Sequence, residues 1–441
     1  MDDLKAYISI PSVSRNRGVI HADFSNIIEF EILYVLFERF FIQLGAPNKI
    51  IYLLDIINIF LLLKIIKSRN WNHFKGMIAT YVLLIGVSII VAFSNYLEWN
   101  SNPIYTIIEL RNILRFLIFF IACVSLLTEN SCIRIYNILI IYFFINALMI
   151  FYEYLTFHPV GIWTRGDYLN GFFGMSVGGN TFVNVSLLVV VSYLLSSWSK
   201  GIVSTKLFAI SLVISLMISA LIELKAFFLE FIILYIWYLV KKKKRKKEIQ
   251  INILIIVLVI LISYIGLQIM YKEYPWFRDT MSFSGMVSSV LDKGGYTSSG
   301  DLNRFTGVFT IANTIFNKDI VKILFGIGAG NASAFTVNGS STKFFQIYEN
   351  THYNWFSGTF MFAQSGVVGL VLYLYSFLYL LRKKKQETVF KLNSQIMCIM
   401  TLFLIFYGEA LKTDAGYLVY FAIASGFVKS SKNRKVIREK I

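Results

Sequence analysis

The chain has 441 residues, of which 56% are hydrophobic and only 15% charged, with a net charge of +17 and a mean hydropathy of +0.64. Long apolar runs recur from about residue 24 to residue 428. That pattern excludes an ordinary water-soluble domain and reads as an all-α integral membrane protein that crosses the bilayer many times.

In chain order, a polar N-terminus, "MDDLKAYISIPSVSRNRGVIHADF", precedes the first apolar run and does not look like a cleavable signal. Twelve transmembrane helices are expected, over about 24–44, 50–66, 77–95, 105–127, 135–157, 178–197, 207–222, 226–240, 250–271, 355–381, 392–410 and 415–428. The first carries Glu29, Glu31, Glu38 and Arg39, and is the least apolar. The chain thus divides into helices 1–9 (1–271), one large loop (272–354), helices 10–12 (355–428) and a basic tail (429–441). Basic clusters lie in "KKKKRKK" at 241–247, "RKKK" at 382–385 and the tail. With twelve spans all of them, and both termini, fall on the cytoplasmic side, as the positive-inside rule asks. Anchoring and orientation account for these clusters, so no nucleic-acid partner is inferred. Cys123, Cys132 and Cys398 have no metal-site or disulfide spacing.

The loop 272–354 carries seven Lys/Arg and six Asp/Glu, unlike the basic inner connections, and reads as a folded extracytoplasmic lid. Several cations sit where the same rule would exclude them. Arg111 and Arg115, in "TIIELRNILRFLIFF", are four residues apart on one helix face. Arg165 lies in "HPVGIWTRGDYLNGFFGMSVGGNTF", Lys225 in "ALIELKAFFLEF", Arg278 in "PWFRDT" and Arg304 in "SGDLNRFTG". Glu409, Lys412 and Asp414, in "GEALKTDAG", occupy the last external turn. Ionisable groups at such depth point into a bundle or an aqueous cavity. The structural alternative for Arg111 and Arg115 is snorkelling and pairing with Glu109 or another acid. Arginine forks grip phosphate oxygens, so an anionic lipid headgroup is a natural ligand for the set. His352 ends the loop in "ENTHYNWFSG", where water meets apolar sequence, and histidine is suited to general acid–base work.

Three segments together carry a resemblance: Arg165 followed by "GFFGMSVGGNTF", the turn "LFGIGAGN" at 324–331, and "THYNWFSGTFMFAQSGVVGLVLYL" from Thr351. In their order, and in the architecture of nearly the whole length, the chain resembles bacterial polysaccharide polymerases of the Wzy type, within the O-antigen polymerase and ligase group. It departs from the group's pattern where Tyr353 separates His352 from Asn354, and where Lys225 stands at a position often held by arginine. The resemblance implies a GT-C-like membrane glycosyltransferase. Its donor and acceptor would be undecaprenyl-pyrophosphate-linked oligosaccharides, with a flippase and a chain-length regulator as further partners and the bacterial cytoplasmic membrane as its location. It implies His352 as catalytic base. Arg304, Arg165, Lys225, Arg111, Arg115, Arg278 and Asn354 would bind pyrophosphate or glycan, and neither metal nor nucleotide cofactor is required. The alternatives are a glycan ligase of the same chemistry and a twelve-helix flippase of lipid-linked oligosaccharide. Two similar halves, common in transporters, are not evident.

Overall fold

The computed structural model describes residues 24–68, 70–99, 102–158, 165–176, 178–241, 294–297, 300–335 and 341–430, with isolated positions between 257 and 287. Among them the fold is all-helical, with a single isolated backbone bridge between Tyr296 and Leu302. Long helices occupy the expected runs: α1 (Ser25–Gln43), α2 (Leu53–Ser68), α3 (Lys75–Ser94), α4 (Pro103–Leu126), α5 (Glu129–Thr156), α6 (Asn180–Ser199), α7 (Thr205–Leu221), α8 (Lys225–Lys241), α9 (Ser357–Arg382), α10 (Phe390–Tyr407) and α11 (Gly416–Ser425). The expected helix over 250–271 lies outside the described residues, isolated positions apart.

Among the described residues, five helical stretches are long and apolar enough to cross a membrane: Asn72–Ser94, Glu129–Thr156, Asn180–Ser199, Ser357–Arg382 and Phe390–Tyr407. The charges on α1 and α4 keep those two helices out of this set, although both are long. On α3, Val82, Leu83, Ile90 and Phe93 are exposed in helical register, a face that suits lipid better than water. The core is built around α6, α10 and α11, and every residue of α11 is buried. Polar groups within the bundle find one another. Asn393 donates to the Tyr136 hydroxyl at 2.5 Å, and Asn58 donates to Tyr417 at 2.5 Å.

Alternating helix directions sort the connections onto two ends. One end gathers 126–129, 199–205, 382–390 and 426–430, where Ser196 donates to Val389 O at 2.9 Å, Lys200 to Thr388 O at 2.7 Å and Ser430 to Glu129 at 2.9 Å. The cluster at 382–385 lies here. One of its cations is not solvated, because Lys385 turns inward and donates to Leu380 O at 2.6 Å at the C-terminus of α9. Burial lowers its pKa. The opposite end gathers the turns before α2, α4, α6, α8, α9 and α11, together with the described part of the large loop.

That loop is partly inside the bundle. The Gly-rich turn 326–331 threads between α3, α4 and α9: Ala329 N donates to Ser88 O at 3.2 Å, Thr106 to Ala329 O at 3.0 Å and Gly328 N to Gln364 O at 2.8 Å. At Gly328, with φ +98°, a Cβ would lie 2.2 Å from Ala92 Cα, so only glycine lets the two backbones touch. Gly366, at φ 61°, interrupts α9 where it meets the backbone of Leu324 and Phe325. The Gly-rich turn is therefore an internal seam that ties the loop to three helices.

Candidate active site

The seam fixes the segment that carries His352. Tyr353 is fully buried, and its hydroxyl donates to Ala332 O at 2.6 Å, just beyond the Gly-rich turn. Thr359 in the first turn of α9 donates to Tyr353 O at 2.6 Å. With the side chain of Tyr353 plugged inward, His352 takes a left-handed conformation at φ 51°, ψ 33°. The residue that separates histidine from asparagine in the sequence is thus the anchor of the turn. Burial, with the Glu109 charge second, raises its phenol pKa.

The His352 side chain is 37% exposed, and its Nδ1 lies 2.5 Å from Asp301 Oδ1. Asp301 is brought there because residues 301–303 run alongside the turn, with Leu302 N donating to Thr351 O at 2.9 Å and Asn303 N to Gly295 O at 2.9 Å. A carboxylate accepts, so Nδ1–H donates, and in the neutral ring this tautomer puts the lone pair on Nε2. The imidazole stacks on Trp355 at 3.8 Å between ring centroids, with an interplanar angle of 22°. Arg304, three residues after Asp301, lies over Tyr407 at 4.4 Å and Phe356 at 5.4 Å. Lys412 donates to the backbone carbonyl of Asn354, with Glu409 at 3.7 Å. Burial lowers the Lys412 pKa, against the opposing pull of Glu409 and Glu109.

The two arginines of α4 are committed elsewhere. Arg111 pairs with Asp55 of α2 at 2.7 Å, not with Glu109, and remains partly exposed. Arg115 is 6% exposed, pairs with Asp414 at 2.5 Å and donates to Lys412 O at 2.8 Å. Burial would raise the Asp414 carboxyl, but Arg115 with the nearby Glu38, Arg39 and Arg111 outweighs it and holds the pKa below the ordinary aspartate value. Although four residues apart on one face, Arg111 and Arg115 therefore reach different elements: Arg111 joins α4 to α2, and Arg115 joins it to the α10–α11 turn.

Arg165 opens a short turn, Arg165–Tyr168, and Lys225 opens α8. Their backbones are brought near each other, because Gly166 N donates to Glu223 Oε1 at 3.3 Å. The side chains of both, and all of Arg278, lie outside what is described. The structure thus groups His352, Asp301, Arg304, Trp355 and Lys412 at one end of the bundle. Asn354 enters through its backbone carbonyl. Asp301 is the member that the sequence does not mark, and Lys412 is marked there only as one of the external cations. The only hint for Asp301 is its place three residues before Arg304. No protein-family model and no curated protein matches the chain.

Proposed function

We propose that this protein is a polytopic membrane glycosyltransferase. It would join lipid-pyrophosphate-linked oligosaccharide repeat units into a surface polysaccharide on the extracytoplasmic face of a bacterial cytoplasmic membrane, as polymerases of the Wzy type do. The observation that carries the reading is the half-exposed His352 held by Asp301 through Nδ1, which turns Nε2 into the candidate base. In this reading the twelve expected helices all span, and the end bearing His352 faces outward.

The acceptor sugar hydroxyl gives its proton to His352 Nε2 as its oxygen attacks the anomeric carbon of the donor. The bond from that carbon to the pyrophosphate oxygen breaks, the glycosidic bond forms, and the lipid pyrophosphate leaves with the electron pair. Asp301 holds the ring in the required tautomer and stabilises the imidazolium, the role of the third group in a catalytic triad. Arg304, on its aromatic bed, is the first candidate to stabilise the leaving pyrophosphate. Arg165 and Lys225 belong to the same end by their backbones and are the next candidates. Arg111 is partly exposed beside Asp55, whereas the Arg115 fork is spent on Asp414 and Lys412 O, which favours a structural role for it.

The test is reconstitution with a lipid-pyrophosphate-linked repeat unit and no nucleotide sugar. A ladder of longer glycans supports the proposal. Movement of the lipid across the bilayer without new glycosidic bonds would support a flippase instead.

A further inference from the structure

The turn bearing His352 is held from behind by one cation. Residues 353–355 make a single turn between His352 and the start of α9, so the Asn354 carbonyl has no helical partner of its own. It is met by the Lys412 ammonium, which reaches it from the α10–α11 turn. That carbonyl belongs to the peptide joining Asn354 to Trp355, and Trp355 is the ring on which His352 stacks. Neutral bonds hold the chain on both sides of this peptide, from Tyr353 to Ala332 O before it and from Ser357 N to Gly408 O at 2.9 Å after it, but the Asn354 carbonyl itself is met by the ammonium. Lys412 is itself well placed to hold still. Its ammonium lies over Phe360 at 4.9 Å and near Glu409, and it lines a cavity of about 40 Å³ with Glu109, Asn112 and Gln364.

We propose that Lys412 is a positioning residue for His352: it fixes the Asn354–Trp355 peptide, and through the Trp355 ring it fixes the tilt of the imidazole that keeps Nδ1 on Asp301. The proposal rests on the polymerase reading for its kinetic consequence but not for its structural one. A charge-assisted bond to a carbonyl is among the stronger ones available, and a small misplacement of a reacting group is costly in rate.

The experiment compares Lys412→Met and Lys412→Arg with the parent protein in liposomes. One readout is chain elongation, and the other is the histidine ring signals of selectively labelled protein by NMR, assigned with His352→Gln. Lys412→Met is expected to lose the ring-current shift that Trp355 imposes on His352. Its kcat is expected to fall on the order of tenfold to a hundredfold, with KM for the lipid-linked unit unchanged. Lys412→Arg is expected to restore most of both. Should Lys412→Met fail to fold, Lys412→Gln is judged by the same readouts. Unaltered His352 signals and kcat in a folded, uncharged variant overturn the proposal. If the parent protein elongates no chains, the polymerase reading falls, and if His352→Gln still elongates them, the assignment of His352 as base falls; in either case the ring-current readout alone decides the role of Lys412.

Discussion

Asp414→Asn leaves the Arg115 guanidinium buried at 6% exposure without its carboxylate at 2.5 Å. Breaking a buried pair from one side costs about 3–5 kcal/mol, because the remaining charge is stranded away from water. Arg115 keeps its bond to Lys412 O at 2.8 Å and its place over Phe116 at 4.5 Å, which puts the expected loss near the lower end. Arg115→Met strands Asp414 beside the buried Glu38 and should cost a similar amount. The double variant removes both charges and should recover about 2–3 kcal/mol of the summed losses, since a well-packed apolar replacement of an ion pair is often nearly neutral. The assay is denaturant unfolding in mixed micelles across this four-protein cycle. The sign of the pH dependence follows from the depressed Asp414 pKa. Its contribution is present in full above the ordinary aspartate value and is lost as pH falls through the lower folded value. Asp414→Asn should therefore flatten stability in that acid range. Two singles each within 1 kcal/mol of the parent and additive in the double, a margin roughly that of a surface change, would refute the buried-pair account. Arg115 would then be free to act as a phosphate ligand.

Three further outcomes are expected. Asp301→Asn should lower kcat by roughly 10²–10⁴-fold with little change in KM, since it leaves the imidazole in the wrong tautomer, and steady-state elongation rates check this. Tyr353→Phe should cost about 1–3 kcal/mol through the orphaned Ala332 carbonyl, read by the same micellar unfolding. Gly328→Ala should prevent stable assembly, because its Cβ would lie 2.2 Å from Ala92 Cα at a backbone angle that favours glycine. Its yield after detergent extraction and gel filtration tests that outcome.

The helices were largely readable because apolar runs with polar punctuation leave the backbone few ways to satisfy its hydrogen bonds. Where a start was misplaced, a cap explains it. α5 begins at Glu129, ahead of the expected 135, because Thr128 accepts from Ser131 N at 3.2 Å. The site was readable as a set of residue types and not as an arrangement. His352 and Asp301 are 51 positions apart, and Lys412 and Asn354 are 58 apart, so neither contact leaves a local signature. Both depend on the Gly-rich turn running inside the bundle. Its glycines permit a close backbone approach but do not say which helices it touches. Arg111 and Arg115 show the converse. Their depth flagged them as paired, yet their partners, Asp55 and Asp414, come from other helices or turns.

The central claim is that an Asp301-oriented His352 removes the proton as lipid-linked units are joined. The most direct measurement counts lipid pyrophosphate released against glycosidic bonds formed, by purified protein in liposomes given only the lipid-linked repeat unit. The account predicts one release per bond for the parent protein, and both products lost together in His352→Ala with the fold intact. Equal turnover by His352→Ala, or lipid translocation with neither product, would contradict it.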